Sequence, residues 1–182
     1  MENKNTKLFI PLLLGTDRSE SRSEKVAAWV LGKMKARAEI ETALFRAADA
    51  DRAGVIPGYA EAMARADGIV VVSPEYNHSF PGILKTILDT ILQEYRRKAA
   101  GIVSVSVGTV GGARAAEHLS LVCRELGLVP IKKGLYFPFA GDAFGETGDP
   151  KDIGYTERSE KFFDELAWMA RALKWGRENL SK

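Results

Sequence analysis

Five apolar runs alternate along this chain with five segments of helical periodicity, and this alternation constrains the fold more than any other feature. The clearest runs are continuous, which suits strands buried on both faces. Strands that alternate with helices predict a parallel sheet with helices on both sides. The runs are KLFIPLLLG, EIETALF, GIVVVS, AGIVSVSVG and LVPIKKGLYF.

The helical segments between these runs carry start and stop signals. Ser23 is expected to cap the first helix, Pro81 to open the third, and Gly127 to end the fourth. The third segment has an apolar stripe from Ile83 to Leu92. The last helix is expected from about Thr156 to Trp175.

A β-α unit repeated five times fits an α/β, flavodoxin-like three-layer sandwich with a five-stranded parallel sheet in the order 2-1-3-4-5. Pro11 lacks an N–H group, so a fully regular first strand is not expected. The 182 residues show no repeat and no linker. We therefore predict a single domain over residues 1–182.

Charge and hydropathy exclude several classes of partner. Lys and Arg number 26 against 24 Asp and Glu, so no basic excess points to nucleic acid. No apolar stretch approaches the ~20 residues that span a bilayer. The opening segment MENKNTKLFIPLLLG lacks a small-residue cleavage site, which favours a core strand over a signal peptide. Neither nucleic acid nor membrane is an expected partner.

The chain has one cysteine, Cys123, so no internal disulfide can form. This fits a reducing compartment, and a cytoplasmic location is expected. Cys123 lies on the apolar side of a helical segment and is interpreted as a buried small hydrophobe. No His and Cys cluster suggests a metal site. His118 also lies in a helical segment and is interpreted as structural.

Ligands of open α/β sheets bind beyond the carboxyl ends of the strands, near the switch in strand order. Three loops follow the strands that meet there. We call GTDRSESRS (residues 15–23) the first loop, SPEYNHSFPG (73–82) the second loop and GTVGGAR (108–114) the third loop.

The first loop combines hydroxyls and guanidinium groups directly before a helix. A helix N-terminus attracts phosphate, so this loop is either a phosphate pocket or a well-capped helix start. It matches neither the Walker nor the G-x-G-x-x-G pattern, so the loop gives no support to triphosphate hydrolysis, and a tightly bound dinucleotide is not expected. Asp17 and Glu20 are expected to point away from a bound phosphate.

The second loop places five polar side chains in a row, Glu75 to Ser79, at the end of an apolar strand. It is either a capped turn or a binding site. The third loop contains Gly108, Gly111 and Gly112, which suit a strand-to-helix turn or the close approach of a flat ligand.

Together the three loops resemble the NAD(P)H-dependent FMN reductase family, flavodoxin-like flavoproteins that include FMN, quinone, azo-dye and chromate reductases. The first loop matches G-[ST]-x-R-x-x-S from Gly15 to Ser21. The second matches P-E-Y-N-x-S-x-P-G-x-L-K from Pro74 to Lys85, and the third matches G-x-x-G-G-x-R from Gly108 to Arg114. One departure is the short segment FRAADADRAGVIPGYAE, which is expected to reshape the substrate side.

The resemblance implies a role for each matching residue. The FMN phosphate would be held by Thr16, Arg18, Ser21 and Ser23. The isoalloxazine ring would be lined by Pro74, Glu75, Tyr76 and Asn77. Its pyrimidine end would face Gly111 and Gly112, where donors stabilise the charge of the reduced flavin. No catalytic side chain is expected, since the flavin carries the chemistry, and His78 either contacts substrate or serves only the loop.

The implied activity passes hydride from NADPH or NADH to flavin N5 and then to a small acceptor, by a ping-pong mechanism. The acceptor would be a flavin, a quinone, an azo compound or a metal oxyanion. A homodimer or homotetramer is expected, in which the stripe from Ile83 to Leu92 packs on the sheet, on a partner subunit, or on both. The alternatives are a non-catalytic flavodoxin-like FMN electron carrier and an interaction protein that has lost its flavin.

Overall fold

The structure, a computed structural model, describes residues 7–180, so the first six residues of the opening segment lie outside it. Within that range the chain forms eight strands, five α-helices and two short 3-10 helices. In chain order the strands and α-helices are β1 (Leu8–Phe9), β2 (Leu12–Leu14), α1 (Arg22–Ala36), β3 (Ile40–Glu41), β4 (Leu44–Arg46), α2 (Tyr59–Arg65), β5 (Gly68–Pro74), α3 (Gly82–Leu88), β6 (Lys98–Val105), α4 (Ala113–Glu125), β7 (Leu128–Pro130), β8 (Leu135–Phe137) and α5 (Gly154–Asn179).

Every strand pair among the described residues is parallel, which confirms the predicted type of sheet. The main sheet has six strands in the order β4-β2-β5-β6-β7, with β8 also pairing to β6. A separate two-stranded ladder joins β1 to β3. The predicted count of five strands is therefore wrong, and the order of the observed strands differs from 2-1-3-4-5, which is recovered only when the two pieces of an interrupted strand are counted as one.

The difference arises because three of the predicted strands are each interrupted. The first divides into β1 and β2 at Ile10 and Pro11, and the second divides into β3 and β4 in parallel with it. The fifth divides into β7 and β8, and both parts pair with β6. Pro11 has no N–H to donate, but its carbonyl accepts a hydrogen bond from the Val70 N–H at 2.9 Å, so the two halves stay aligned.

Two apolar clusters cover the two faces of the sheet. One packs α1 and α5 on the sheet through residues such as Val30 and Phe162. The other packs α2, α3 and α4 on the opposite face through residues such as Met63, Leu84 and Leu119. Strands β5 and β6 are buried along their whole length, so their carboxyl ends are held rigidly at one edge of the molecule.

The helix ends differ from the sequence predictions in three places. Ser21, not Ser23, is the N-cap of α1, and Ser23 is buried in the first turn. Helix α3 ends at Leu88, which leaves Leu92 half exposed beyond it. Helix α5 is longer than expected at both ends. The predicted stop at Gly127 is confirmed, since this residue follows α4 with a φ of +80°.

Candidate functional site

A cavity of about 520 Å³ lies at the carboxyl ends of β2, β5 and β6. Small-molecule sites in proteins have volumes of this order. The first and second loops border it together with the end of β6 and one residue beyond β8. The lining residues are Arg18, Ser19, Glu20, Ser21, Arg22, Ser23, Pro74, Glu75, Tyr76, Val105, Ser106, Val107 and Ala140.

The first loop presents the N-terminus of α1 to this cavity. Ser21 is the N-cap residue with extended backbone, but its side chain makes no capping hydrogen bond. Its Oγ is buried and has no hydrogen-bond partner. The helix dipole places partial positive charge at this end of α1. An anion here would meet both the dipole and a free hydroxyl.

Thr16 lies behind the cavity and joins the first loop to the second. Its buried Oγ1 is 3.1 Å from the Tyr76 hydroxyl and accepts the Arg18 N–H at 3.3 Å. The Arg18 guanidinium carbon lies 4.6 Å from the centroid of the Tyr76 ring, within cation–π range. Thr16 is therefore absent from the lining, but it bonds to the side chain of Tyr76 and to the backbone of Arg18, which both belong to the lining.

The second loop contains a tight turn, which accounts for part of its polar sequence. Tyr76 and Ser79 exchange backbone hydrogen bonds of 2.7 and 3.0 Å. Asn77 and His78 between them have φ values of +48° and +67°, as in a type I′ turn, and both residue types tolerate this region. Asn77 and His78 are exposed at the tip and do not border the cavity, whereas Tyr76 does.

Glu75 continues the pairing of β5, since its N–H donates to the Val105 carbonyl at 2.9 Å. Its side chain is only 6% exposed, and Oε1 accepts a hydrogen bond from Arg114 Nη1 at 2.7 Å. The other oxygen, Oε2, is buried without a partner. Within residues 7–180, three buried side-chain atoms lack a hydrogen bond, and two of them, Ser21 Oγ and Glu75 Oε2, belong to residues that border this cavity.

Each unpaired buried polar atom costs about 1–3 kcal/mol, so a ligand that pairs with these two atoms would gain accordingly. The donor set fits FMN. Hydroxyls, a guanidinium and a helix N-terminus suit a phosphate, and the Glu75 oxygen suits an N–H or O–H donor.

Gly111 and Gly112 do not border the cavity, and their positive φ values of +61° and +84° place the third loop against the strands. A Cβ on Gly112 would lie 2.9 Å from the Cβ of Ser104, and one on Gly111 would lie 3.0 Å from the Pro138 nitrogen. Ser104 Oγ also donates to the Gly111 carbonyl at 2.8 Å. Glycine is needed here for close packing, and contact with a flavin stays a prediction.

Four lining positions lie outside the three loops that the sequence identified. The rule that ligands bind beyond the carboxyl ends of strands, applied to β6, would have identified three of them, Val105, Ser106 and Val107. Ala140 had no such signal, because it lies in the long loop after β8. Glu20 is among the residues that border the cavity, and the direction of its carboxylate relative to a bound phosphate stays a prediction.

The remaining candidates are placed as follows. Burial raises the pKa of the Cys123 thiol to about 12, so the interpretation as a buried hydrophobe is confirmed. His118 Nδ1 lies 3.1 Å from Ser79 Oγ and so supports the turn.

Within residues 7–180, no group of three acidic, His or Cys side chains could hold a metal ion. No helix in the described part of the chain has the length and apolarity needed to cross a membrane.

A family model described as NADPH-dependent FMN reductase matches residues 10–142, which include all three loops. The chain belongs to this family. The match confirms the predicted resemblance, and the description of the family names NADPH as reductant and FMN as its partner in the reaction.

A similar curated protein is the 2-hydroxy-1,4-benzoquinone reductase of a Burkholderia species. The identity is 38% over 86 residues, which cover 44% of this chain and 47% of that relative. The chain thus spans about half the length of this relative.

Two solved structures have a similar fold over most of this chain. The flavoenzyme NAD(P)H:(acceptor) oxidoreductase FerB of Paracoccus denitrificans aligns with a TM-score of 0.72 at 21% identity, covering 90% of this chain and 98% of that one. A flavodoxin from Streptococcus pneumoniae aligns with a TM-score of 0.61 at 14% identity, covering 88% and 98%. At these identities the likeness concerns the fold alone, which is flavodoxin-like.

Proposed function

We propose that this chain is an FMN-dependent NAD(P)H oxidoreductase that reduces a small electron acceptor. One observation carries the proposal: among the described residues, two buried side-chain oxygens that lack a hydrogen-bond partner, Ser21 Oγ and Glu75 Oε2, belong to residues that border the cavity at the switch in strand order. Membership of the FMN reductase family supports FMN as the ligand that pairs with them.

The FMN phosphate would lie at the N-terminus of α1. Ser21 and Ser23 would donate their hydroxyls there, and Arg18 would supply charge from its position over the Tyr76 ring. Thr16 would act through Tyr76 and the Arg18 backbone.

The isoalloxazine ring would lie against the second loop and the end of β6. Pro74, Glu75 and Tyr76 border this part of the cavity. Asn77 would form the turn that presents them, and Gly111 and Gly112 would hold the third loop beside the pyrimidine end. Bound FMN would supply the redox chemistry by accepting a hydride at N5 and returning two electrons.

The overall reaction with a quinone Q is NAD(P)H + H⁺ + Q → NAD(P)⁺ + QH₂. The nicotinamide supplies both electrons and one proton as a hydride, and the solvent supplies the second proton. The nicotinamide and the acceptor would occupy the same cavity in turn, so ping-pong kinetics are expected. The name of the Burkholderia relative supports a quinone as the first acceptor to test. The proposal also includes assembly into a homodimer or homotetramer and a cytoplasmic location.

The visible spectrum of the purified protein, followed by anaerobic titration with NADH and NADPH, tests this function. We expect a flavin spectrum that is bleached by one of the two nicotinamides and restored by a quinone. A protein that binds FMN but stays oxidised with both nicotinamides would be an electron carrier instead. A protein that takes up no FMN would overturn the assignment of the cavity.

A further inference from the structure

Two large apolar side chains are exposed beside the cavity, and we call them the apolar rim. Val107 and Phe139 are 63% and 56% exposed. Val107 borders the cavity, and Phe139 directly precedes Ala140, which also borders it. Exposed apolar groups that gather at the mouth of a cavity commonly mark a binding surface.

Backbone hydrogen bonds, not side-chain burial, hold Phe139 in this place. Its N–H donates to the Gly108 carbonyl at 3.3 Å, and the Ala140 N–H donates to the Ser106 carbonyl at 3.0 Å. The segment after β8 is therefore fastened along the loop that follows β6. This brings Phe139 next to Val107 from a distant part of the chain.

The backbone of Phe139 is also unfavourable for its residue type. Its φ is +49°, a left-handed conformation that is strained for a bulky side chain and natural for glycine. More than half of the side chain remains in solvent, so burial does not explain why an aromatic residue occupies this position. Strained residues of this kind concentrate at ligand sites.

We propose that Phe139 is a specificity-determining residue for the electron acceptor. Together with Val107 it offers an apolar surface on which a planar, apolar acceptor such as a naphthoquinone packs while it takes two electrons and two protons. An aromatic face favours such a ring and gives no advantage to a hydrophilic ion. The inference rests on the proposed function and selects, among its acceptors, the planar apolar class.

The substitution Phe139→Gly tests this directly, because glycine adopts the observed backbone without strain and removes only the aromatic side chain. We expect kcat/KM for menadione, a naphthoquinone, to fall about tenfold, since one aromatic contact is worth roughly that factor. For ferricyanide, a hydrophilic acceptor, kcat/KM should change by less than about twofold on the same reasoning. FMN affinity and KM for the nicotinamide should not change.

Trp168→Ala is the matched control, because Trp168 is an exposed aromatic on α5, outside the cavity lining. It should leave both acceptors unaffected. An unchanged ratio of menadione to ferricyanide turnover in Phe139→Gly would overturn the inference. A Phe139→Gly protein with an altered oligomeric state by light scattering would also overturn it, and would assign the apolar rim to contact between copies of the chain.

A binding measurement separates this inference from the proposed function. The FMN-loaded protein is titrated with a redox-inert naphthalene analogue, and the flavin absorbance reports binding. Weaker binding to Phe139→Gly supports the apolar surface even in a preparation that turns over slowly, whereas equal binding overturns it. A wild-type protein that binds the analogue but reduces no acceptor would refute the proposed function alone.

Discussion

Arg114 Nη1 lies 2.7 Å from Oε1 of Glu75, and this contact ties the first turn of α4 to the lining of the cavity. The carboxylate is almost fully buried, whereas about half of the Arg114 side chain is exposed. Because Arg114 engages one oxygen, it orients the carboxylate and leaves the other oxygen, Oε2, without a partner. Arg114 is thus a positioning residue that acts through Glu75.

We expect Arg114→Gln to weaken FMN binding about tenfold, because Glu75 would lose its charge partner and its orientation. Flavin fluorescence quenching measures the affinity. The double variant Arg114→Gln with Glu75→Gln also removes the carboxylate charge. Its loss of FMN binding free energy should therefore be smaller than the sum of the losses in the two single variants. Strictly additive losses would contradict the coupling of these two residues through the ion pair.

Ser21→Ala should have opposite effects on the free and the bound protein. The hydroxyl makes no hydrogen bond in the free protein, so its removal should leave the free energy of unfolding unchanged or raise it slightly. FMN binding should weaken about tenfold, since one hydrogen bond to a charged phosphate is lost. Riboflavin lacks the phosphate, so its affinity for the same variant is the control measurement. An equal loss of riboflavin affinity would place Ser21 away from the phosphate.

Glu20→Gln should strengthen FMN binding by about two- to fivefold, because an exposed carboxylate that borders the phosphate end repels it. The gain should shrink as salt is raised, since salt screens exposed charges. Titrations at two ionic strengths measure both effects. Glu24→Gln is the control, as this residue lies in the first turn of α1 but does not border the cavity. Equal gains in both variants would indicate a general charge effect.

The sequence predicted correctly those features that depend on neighbouring residues along the chain. The polar residues of the second loop follow a continuous apolar strand, so their place at the carboxyl end of the sheet could be predicted, and Pro74, Glu75 and Tyr76 do border the cavity. The irregularity at Pro11 was also predictable, because proline lacks an N–H.

Other features depend on contacts between distant segments, which no local pattern encodes. Ala140 and Phe139 reach the site only because their N–H groups bond to the loop after β6. The breaks in the second and fifth predicted strands likewise follow from pairing with neighbours.

Lys98 is a buried lysine at the start of β6, the amino end of the strand whose carboxyl end borders the cavity. Its Nζ donates to the Met63 carbonyl and to the Ala64 carbonyl, the latter at 3.0 Å. Burial and, to a lesser extent, the charge of Arg177 lower the pKa of Lys98 from 10.5 to about 8, although Asp67 and Glu94 act in the opposite direction.

The folded pKa of Lys98 therefore lies below the unfolded one, so between about pH 8 and 10.5 the unfolded chain binds more protons at this site. In that window this lysine makes the free energy of unfolding rise with pH, because the unfavourable buried charge is progressively removed. Urea unfolding from pH 7 to 10.5 measures the slope. Lys98→Met should lose this positive contribution relative to the wild type, whereas Lys161→Met, an exposed lysine on α5, should keep it. Parallel curves for Lys98→Met and the wild type would show that Lys98 has an ordinary pKa in the folded protein.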